Sequence, residues 1–205
     1  YDKYGSLINK TVLKTNSTDD SGWATSQTIT TYDANGAVTQ RQEITDIKYD
    51  GQNRLKSKRV AVYDGNGLLL SLQDITIDSY SGLGEVTGKT IVSYSESGAV
   101  EDIQVITNIL YDSRGNVVYY ESKNYDADKS FISGQKVSVR YNSRGNISYE
   151  SVETFDNEAL TSSLGKTVKD DFVFDSKGNT LSYTSLSYDG YGSFEGGKKV
   201  TYEYG

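Results

Sequence analysis

Three residue patterns in this chain are of a kind that does chemistry. Asp recurs in Gly-rich stretches such as Asp33-Ala34-Asn35-Gly36 and Asp64-Gly65-Asn66-Gly67, and oxygen-rich loops of that sort suit Ca²⁺. Tyr supplies 18 of the 205 residues, and exposed rings are platforms for sugars. Tyr119, Tyr120 and Tyr183 are the candidates for surface binding of a glycan, because the repeat described below does not require them. The carboxylate pairs Asp19-Asp20, Glu101-Asp102 and Asp170-Asp171 would suit glycoside hydrolysis if each pair faced one cleft.

Each pattern also has a plainer explanation. Calcium takes about six to eight oxygens, and one Asp with one Asn per turn falls short of that. Successive strand residues point to opposite faces, so sequence neighbours cannot form a catalytic pair. Gly165-Lys166-Thr167 and Gly196-Gly197-Lys198 lack the full spacing of a phosphate loop. The chain contains no His and no Cys, which excludes a Ser-His-Asp triad, thiol chemistry, disulfides and His or Cys metal centres. The expectation is a protein without catalytic residues, cofactor or metal, and not an enzyme.

Charge and hydropathy narrow the partners. A net charge of -7, with acidic and basic residues interspersed, argues against nucleic acid. No apolar run approaches the ~18 residues of a membrane span, and stretches such as Gly67-Leu68-Leu69-Leu70 are far too short for insertion. The absence of Cys fits an extracellular or cell-surface protein of a bacterium. The sequence starts on Tyr1 without Met and ends at Tyr204-Gly205, as expected of a piece cut from a longer array.

The elements that would position these residues come from an internal repeat. An aromatic, then Asp, Asn or Ser, then Gly at the fifth position and an apolar residue at the seventh, recur at 1, 18, 32, 49, 63, 80, 94, 111, 125, 141, 155, 174 and 188. Long steps of 17 alternate with short steps of 14, apart from one of 16 and one of 19. Above this lies a larger period, with super-repeats at 1–62, 63–124 and 125–187. The whole chain, 1–205, reads as one continuous array.

Turn chemistry explains the phrase. Asp bonds its own backbone two residues on, and Gly at the fourth turn position takes the left-handed conformation that closes a type I turn with a bulge. The expected turn residues are Asp2, Gly5, Asp33, Gly36, Asp50, Asp64, Gly67, Asp112, Gly115, Gly145, Asp175, Gly178, Asp189 and Gly192. Asn53 fits the fifth position, whereas Lys129 and Ala159 should mark altered turns. Trp23, in the one unit whose first residue is Thr18, is expected to fill the space that Thr18 leaves. Alternating segments such as Ile103 to Tyr111, rich in β-branched residues, supply the strands between turns. The fold class is all-β: a repetitive antiparallel meander of about 13 strands joined by DxxG hairpin turns. A sheet so wide is expected to curl into a spiral shell or solenoid-like ribbon.

Tyr32-Asp33-Ala34-Asn35-Gly36-Ala37-Val38 and Tyr111-Asp112-Ser113-Arg114-Gly115-Asn116-Val117 resemble the YD repeat of the Rhs and YD-repeat proteins, large bacterial surface or secreted proteins. The resemblance covers essentially the whole chain and implies a β-sheet that spirals into a hollow shell, often around a toxic C-terminal domain. The functional expectation is a non-catalytic extracellular scaffold, a shell or filament, self-associating through exposed edge strands. The alternatives are an adhesin or carbohydrate-binding module that uses exposed Tyr and acidic side chains, and a fragment of an Rhs-type toxin-encapsulating shell.

Overall fold

The computed structural model describes residues 9 to 203. Its strands are β1 (Asn9–Thr18), β2 (Ala24–Asp33), β3 (Val38–Tyr49), β4 (Leu55–Asp64), β5 (Leu69–Tyr80), β6 (Val86–Tyr94), β7 (Val100–Tyr111), β8 (Val117–Asp126), β9 (Phe131–Tyr141), β10 (Ile147–Phe155), β11 (Ser163–Phe174), β12 (Thr180–Asp189) and β13 (Phe194–Thr201). They hydrogen-bond in sequence order as one antiparallel meander that does not close into a barrel, and no helix occurs among the described residues. The chain divides into two compact units, Tyr1–Ile103 and Gln104–Gly205.

The first and seventh residues of the phrase form one cross-strand pair. In the first unit Tyr32 lies opposite Val38, Tyr49 opposite Leu55, Tyr63 opposite Leu69 and Tyr80 opposite Val86. In the second, Tyr125 lies opposite Phe131, Tyr141 opposite Ile147, Phe174 opposite Thr180 and Tyr188 opposite Phe194. Aromatic and β-branched pairs of this kind contribute ~0.2–1 kcal/mol each, which is why those two positions share a side-chain character. Tyr125 and Phe131 meet edge to face at 5.9 Å, as do Tyr188 and Phe194 at 5.8 Å.

Among the described residues of each unit a strand packs only on the strands beside it in sequence, as in a single-layer sheet. Small patches replace a core: Ile44, Ile47 and Ala61 are buried in the first unit, and Ile109, Val137, Phe155, Leu160 and Val168 in the second. No side chain among the described residues falls below 2% exposure. Stability therefore comes from ladders and cross-strand pairs more than from a packed interior.

The long and short steps have a structural cause. β3, β5, β7 and β11 have 12 residues, whereas the even-numbered strands have 9 or 10. The surplus includes a bulge near the far end of the long strand, between Thr15 and Ser17, Thr45 and Lys48, Ile77 and Ser79, and Asp170 and Val173. Asp46, Asn108 and Asp171 take left-handed φ values of 51°, 54° and 51° in such strands, and Asp and Asn are the non-glycine residues that tolerate them best. β9 belongs to the step of 16, one residue short, and its ladder with β10 runs unbroken from Arg140 to Gly134. Losing one residue has removed the bulge.

Two expectations about altered turns separate here. Lys129 adopts φ 64° and keeps the ordinary turn, its N–H donating to the Asp126 carbonyl at 3.0 Å. The expectation of an altered turn at Lys129 is thus corrected, because the surrounding hydrogen bonds hold a lysine where glycine usually sits. The Ala159 segment is altered as expected. Its turn moves one residue on, with the Leu160 N–H donating to the Asn157 carbonyl at 3.0 Å and Leu160 at φ 52°. The next strand starts at Ser163, so Thr161 lies in the loop.

Candidate functional site

The turns were the first candidates for chemistry, and their polar atoms are engaged within the hairpin. Asp33 shows the frame. Its N–H donates to the Ala37 carbonyl at 2.9 Å and its carbonyl accepts the Gly36 N–H at 3.1 Å. Because Gly36 takes that carbonyl, the Ala37 N–H has no ladder partner, and Asp33 Oδ1 accepts it at 2.9 Å together with the Asn35 N–H at 2.8 Å. The phrase thus needs an acceptor at its second residue to satisfy the fourth and sixth amides.

The same double acceptance occurs at Asp50, Asp64, Asp112, Asp175 and Asp189. Asn142 replaces Asp ahead of Gly145, and the Ser81 hydroxyl does so at 3.2 Å. Gly36, Gly67, Gly115, Gly145, Gly178 and Gly192 all hold the left-handed position. Asp2 and Gly5 lie outside the described residues.

A third donor reinforces three of these carboxylates. Arg54 Nε donates to Asp50 Oδ2 at 2.8 Å, Asn116 Nδ2 to Asp112 Oδ2 at 2.9 Å and Asn179 Nδ2 to Asp175 Oδ2 at 2.7 Å. These side-chain bonds come first in holding the three carboxyls below the usual carboxylate range, with the backbone amides adding to them. Asp64-Gly65-Asn66-Gly67, the most calcium-like stretch, is shaped by packing. A Cβ on Gly65 would fall 2.2 Å from the Val38 carbonyl oxygen. Among the described residues no three His, Cys, Asp or Glu converge on one point.

The repeat Tyr residues do different work at the two ends of the strands. At the end where long strands finish, Tyr49 Oη donates to the Ala24 carbonyl at 3.0 Å and Tyr141 Oη to the Val117 carbonyl at 3.2 Å. Tyr80 Oη donates likewise to the Leu55 carbonyl. Each ties the end of its own strand to the start of the strand before. At the other end, Tyr94 Oη donates to Asp74 Oδ2 at 2.7 Å, and Arg59 grips that carboxylate with two bonds of 2.7 Å. That pairing pushes the Asp74 carboxyl down. Hydrogen bonding to Asp74 and partial burial push the Tyr94 phenol up.

The three candidate surface tyrosines do not share a site. Tyr119 lies opposite Ser138 and Tyr120 opposite Val137, so they occupy opposite faces of the sheet. Tyr119 Oη donates to Glu121 Oε1 at 2.8 Å, and burial together with that bond raises its phenol to about 12. Tyr120 is pushed up by burial first and by Glu150 second. Tyr183 lies on the same face as Tyr120 and stacks on Phe172 at 5.2 Å, with Tyr202 6.2 Å away. The Lys169 ammonium, paired with Glu150 at 2.7 Å, stands 5.9 Å from the Tyr183 ring.

Two features escaped the sequence. The bulges carry polar residues with cross-strand partners: Asn16 Nδ2 to Thr28 Oγ1 at 2.8 Å, and Thr90 Oγ1 to Asp78 Oδ2 at 2.7 Å, the same contact one super-repeat later. The signal was available as Asp or Asn two or three residues before the first residue of the next unit, at Asn16, Asp46, Asp78, Asn108 and Asp171. The other feature is an open groove of about 750 Å³ in the first unit, floored by Trp23 and Tyr49 with centroids 5.3 Å apart and planes 46° apart. Trp23 packs on the ring of Tyr49 beside the neighbouring turn.

No family model and no curated protein matches the chain. Among solved structures, the crystal structure of TcdB2-TccC3-Cdc42 aligns at 13% identity and TM-score 0.22 over 82% of this chain and 13% of its own. That of TcdB2-TccC3-TEV aligns at 13% identity and TM-score 0.22 over 88% and 12%. A TccC3 mutant of the Photorhabdus luminescens Tc holotoxin pore aligns at 13% identity and TM-score 0.18 over 88% and 12%. The chain therefore spans 12 to 13% of the length of these structures.

Proposed function

We propose that this chain is a non-catalytic structural scaffold of the YD-repeat kind, working outside or on the surface of a bacterial cell. One observation carries the reading: the recurring polar residues are engaged by the hairpins they build. The Asp carboxylates hold turn amides, the tyrosine hydroxyls hold carbonyls or neighbouring carboxylates, and the apolar seventh residues complete cross-strand pairs. A catalytic motif would leave at least one such group aimed at solvent in a cleft.

Self-association fits a single-layer sheet. Every residue of β1 is exposed, and among the described residues β1 pairs with β2 alone, so a further strand added along its outer edge would extend the ladder. The test is electron microscopy of the concentrated protein together with immunogold labelling of intact source cells. Surface label and ribbon-like assemblies agree with the scaffold. Label confined to the cell interior, or only discrete closed monomers, contradicts it.

A further inference from the structure

We propose that Tyr183 and Tyr202 are an oxidative cross-linking site, at which a peroxide acting through a peroxidase joins the two phenol rings by a carbon–carbon bond and ties β13 to β12. Neither tyrosine occupies a position of the repeat phrase. The register brings them together: Tyr183 lies opposite Val200, Tyr202 follows two residues later, and residues two apart in an extended chain share a face. The Tyr202 N–H donates to the Leu181 carbonyl at 2.9 Å, which carries the extended path one residue past the end of β13. Diagonal neighbours on one face are within reach of aromatic side chains. The two ring centroids stand 6.2 Å apart with planes 39° apart.

The chemistry follows from which ring carbons are free. A tyrosyl radical spreads its unpaired electron over the oxygen, the para carbon and the two ortho carbons beside the C–O bond. The para carbon already bears the side chain, so the ortho carbons couple. The Tyr202 hydroxyl donates to that of Tyr183, a bond that also raises the Tyr202 phenol. Meeting at their oxygens, the rings bring their ortho carbons side by side. Phe172 stacks on Tyr183 at 5.2 Å with planes 28° apart and holds that ring in position, while Tyr202 is 44% exposed and open to an oxidant. Tyr125 with Phe131, and Tyr188 with Phe194, hold one phenol per pair and cannot couple in this way. Each phenol of the site gives up one electron and one proton. The two radicals form one bond between ortho carbons, and the hydrogens on those carbons move to the oxygens, restoring both phenols. The two electrons and two protons reduce one hydrogen peroxide to two waters. Rings held in contact couple in a unimolecular step, which outruns coupling between molecules. Six of the eight residues of β13 are exposed and the chain has no Cys, so the bond fastens a strand that burial holds weakly, as a disulfide does elsewhere. That role rests on the scaffold reading, whereas the bond itself does not.

The test is oxidation of the dilute whole chain with hydrogen peroxide and a haem peroxidase. The product should gain the blue fluorescence of dityrosine, run as a monomer on a denaturing gel and weigh less by two hydrogen atoms. Trypsin cuts after Lys198 and Lys199, between the two rings, so the peptides carrying Tyr183 and Tyr202 should stay joined, and fragment spectra should place the bond on those two residues. Tyr183→Phe and Tyr202→Phe each keep a ring in place and should each abolish the joined peptide. Tyr191→Phe, which removes a phenol that is 98% exposed, should leave it unchanged. Oxidised wild type should melt higher than untreated protein, and oxidised Tyr202→Phe should not. Absence of the joined peptide, a bond mapped to Tyr191 of two molecules instead, or a joined peptide that persists in Tyr202→Phe would each overturn the proposal. The scaffold reading is judged separately by assembly and location, which this oxidation does not probe.

Discussion

The turns at Asp126 and Asp156 both lack the glycine of the phrase, yet one keeps the frame and the other does not. In the first, Lys129 bears the left-handed conformation, and Asp126 Oδ1 accepts the Asp128 and Ser130 amides at 3.0 and 2.8 Å. In the second, two surplus residues shift the frame. Asn157 Oδ1 takes over as acceptor for the Thr161 and Ser162 amides, both at 3.0 Å, and Leu160 becomes the left-handed residue. The side-chain acceptor is common to both turns and glycine to neither. The acceptor and the spacing define the turn, and glycine lowers its strain.

What the second turn gains is burial. Leu160 is only 3% exposed, and its side chain occupies the space where a Cβ on Gly134 would stand, while its carbonyl accepts from Lys136 Nζ at 2.9 Å. The two turns also touch: Tyr125 Oη donates to Glu158 Oε1 at 2.8 Å. An insertion has converted a solvent-facing turn into a plug on one face of the sheet.

Breaking the plug should cost most. Leu160→Ala is expected to destabilise by about 2–4 kcal/mol, read as a lower urea midpoint, because it empties a buried site in a sheet with few others. Asn157→Ala should cost about 1–2 kcal/mol, since two amides lose their acceptor in a partly covered loop, and Asp126→Ala about 1 kcal/mol, as water reaches the amides of the open turn. Lys129→Gly should stabilise by about 0.5–1 kcal/mol by relieving the left-handed strain. The same change at Leu160 should destabilise, and that opposite sign sharpens the comparison most.

The contact between the turns predicts a pH effect. Burial first, and the bond to Glu158 second, raise the Tyr125 phenol to about 12 from an ordinary 10.0. A raised folded value means that its contribution is complete below pH 10 and fades as pH climbs towards 12. Absorbance titration near ~295 nm should show Tyr125 ionising late, and Glu158→Gln should bring it earlier. Asp50, Asp112 and Asp175 work in the opposite direction. Their lowered values make the turns stable above the ordinary 3.8 and weaken them as pH falls below it.

Much of the fold was legible because the phrase encodes a local geometry. Asp, then Gly three residues on, specifies the turn wherever it occurs, and the aromatic and apolar residues on either side are a directly opposed pair, so strand order and count followed from spacing. The bulges were less legible. They were visible only as three surplus residues per long unit, and the placing of the surplus depends on which side chain tolerates φ near 50°, as at Asp46. The Trp23 groove was not legible, because Trp23 meets Tyr49 through strand pairing across 26 positions of sequence. The split of Tyr119 from Tyr120 followed from alternation alone, although their adjacency suggested a common platform.

Amide hydrogen exchange tests the central claim most directly, because it reads the sixth-position N–H that the Asp side chain captures. In the native protein the Ser130 and Ala37 amides should exchange as slowly as ladder amides, and Asp126→Ala should release Ser130 and Asp128 while the rest of β8 and β9 stays protected. If Ser130 and Ala37 exchange at the rate of free amides in the native protein, the Asp of the phrase does not build the turn, and its recurrence calls for a binding role instead.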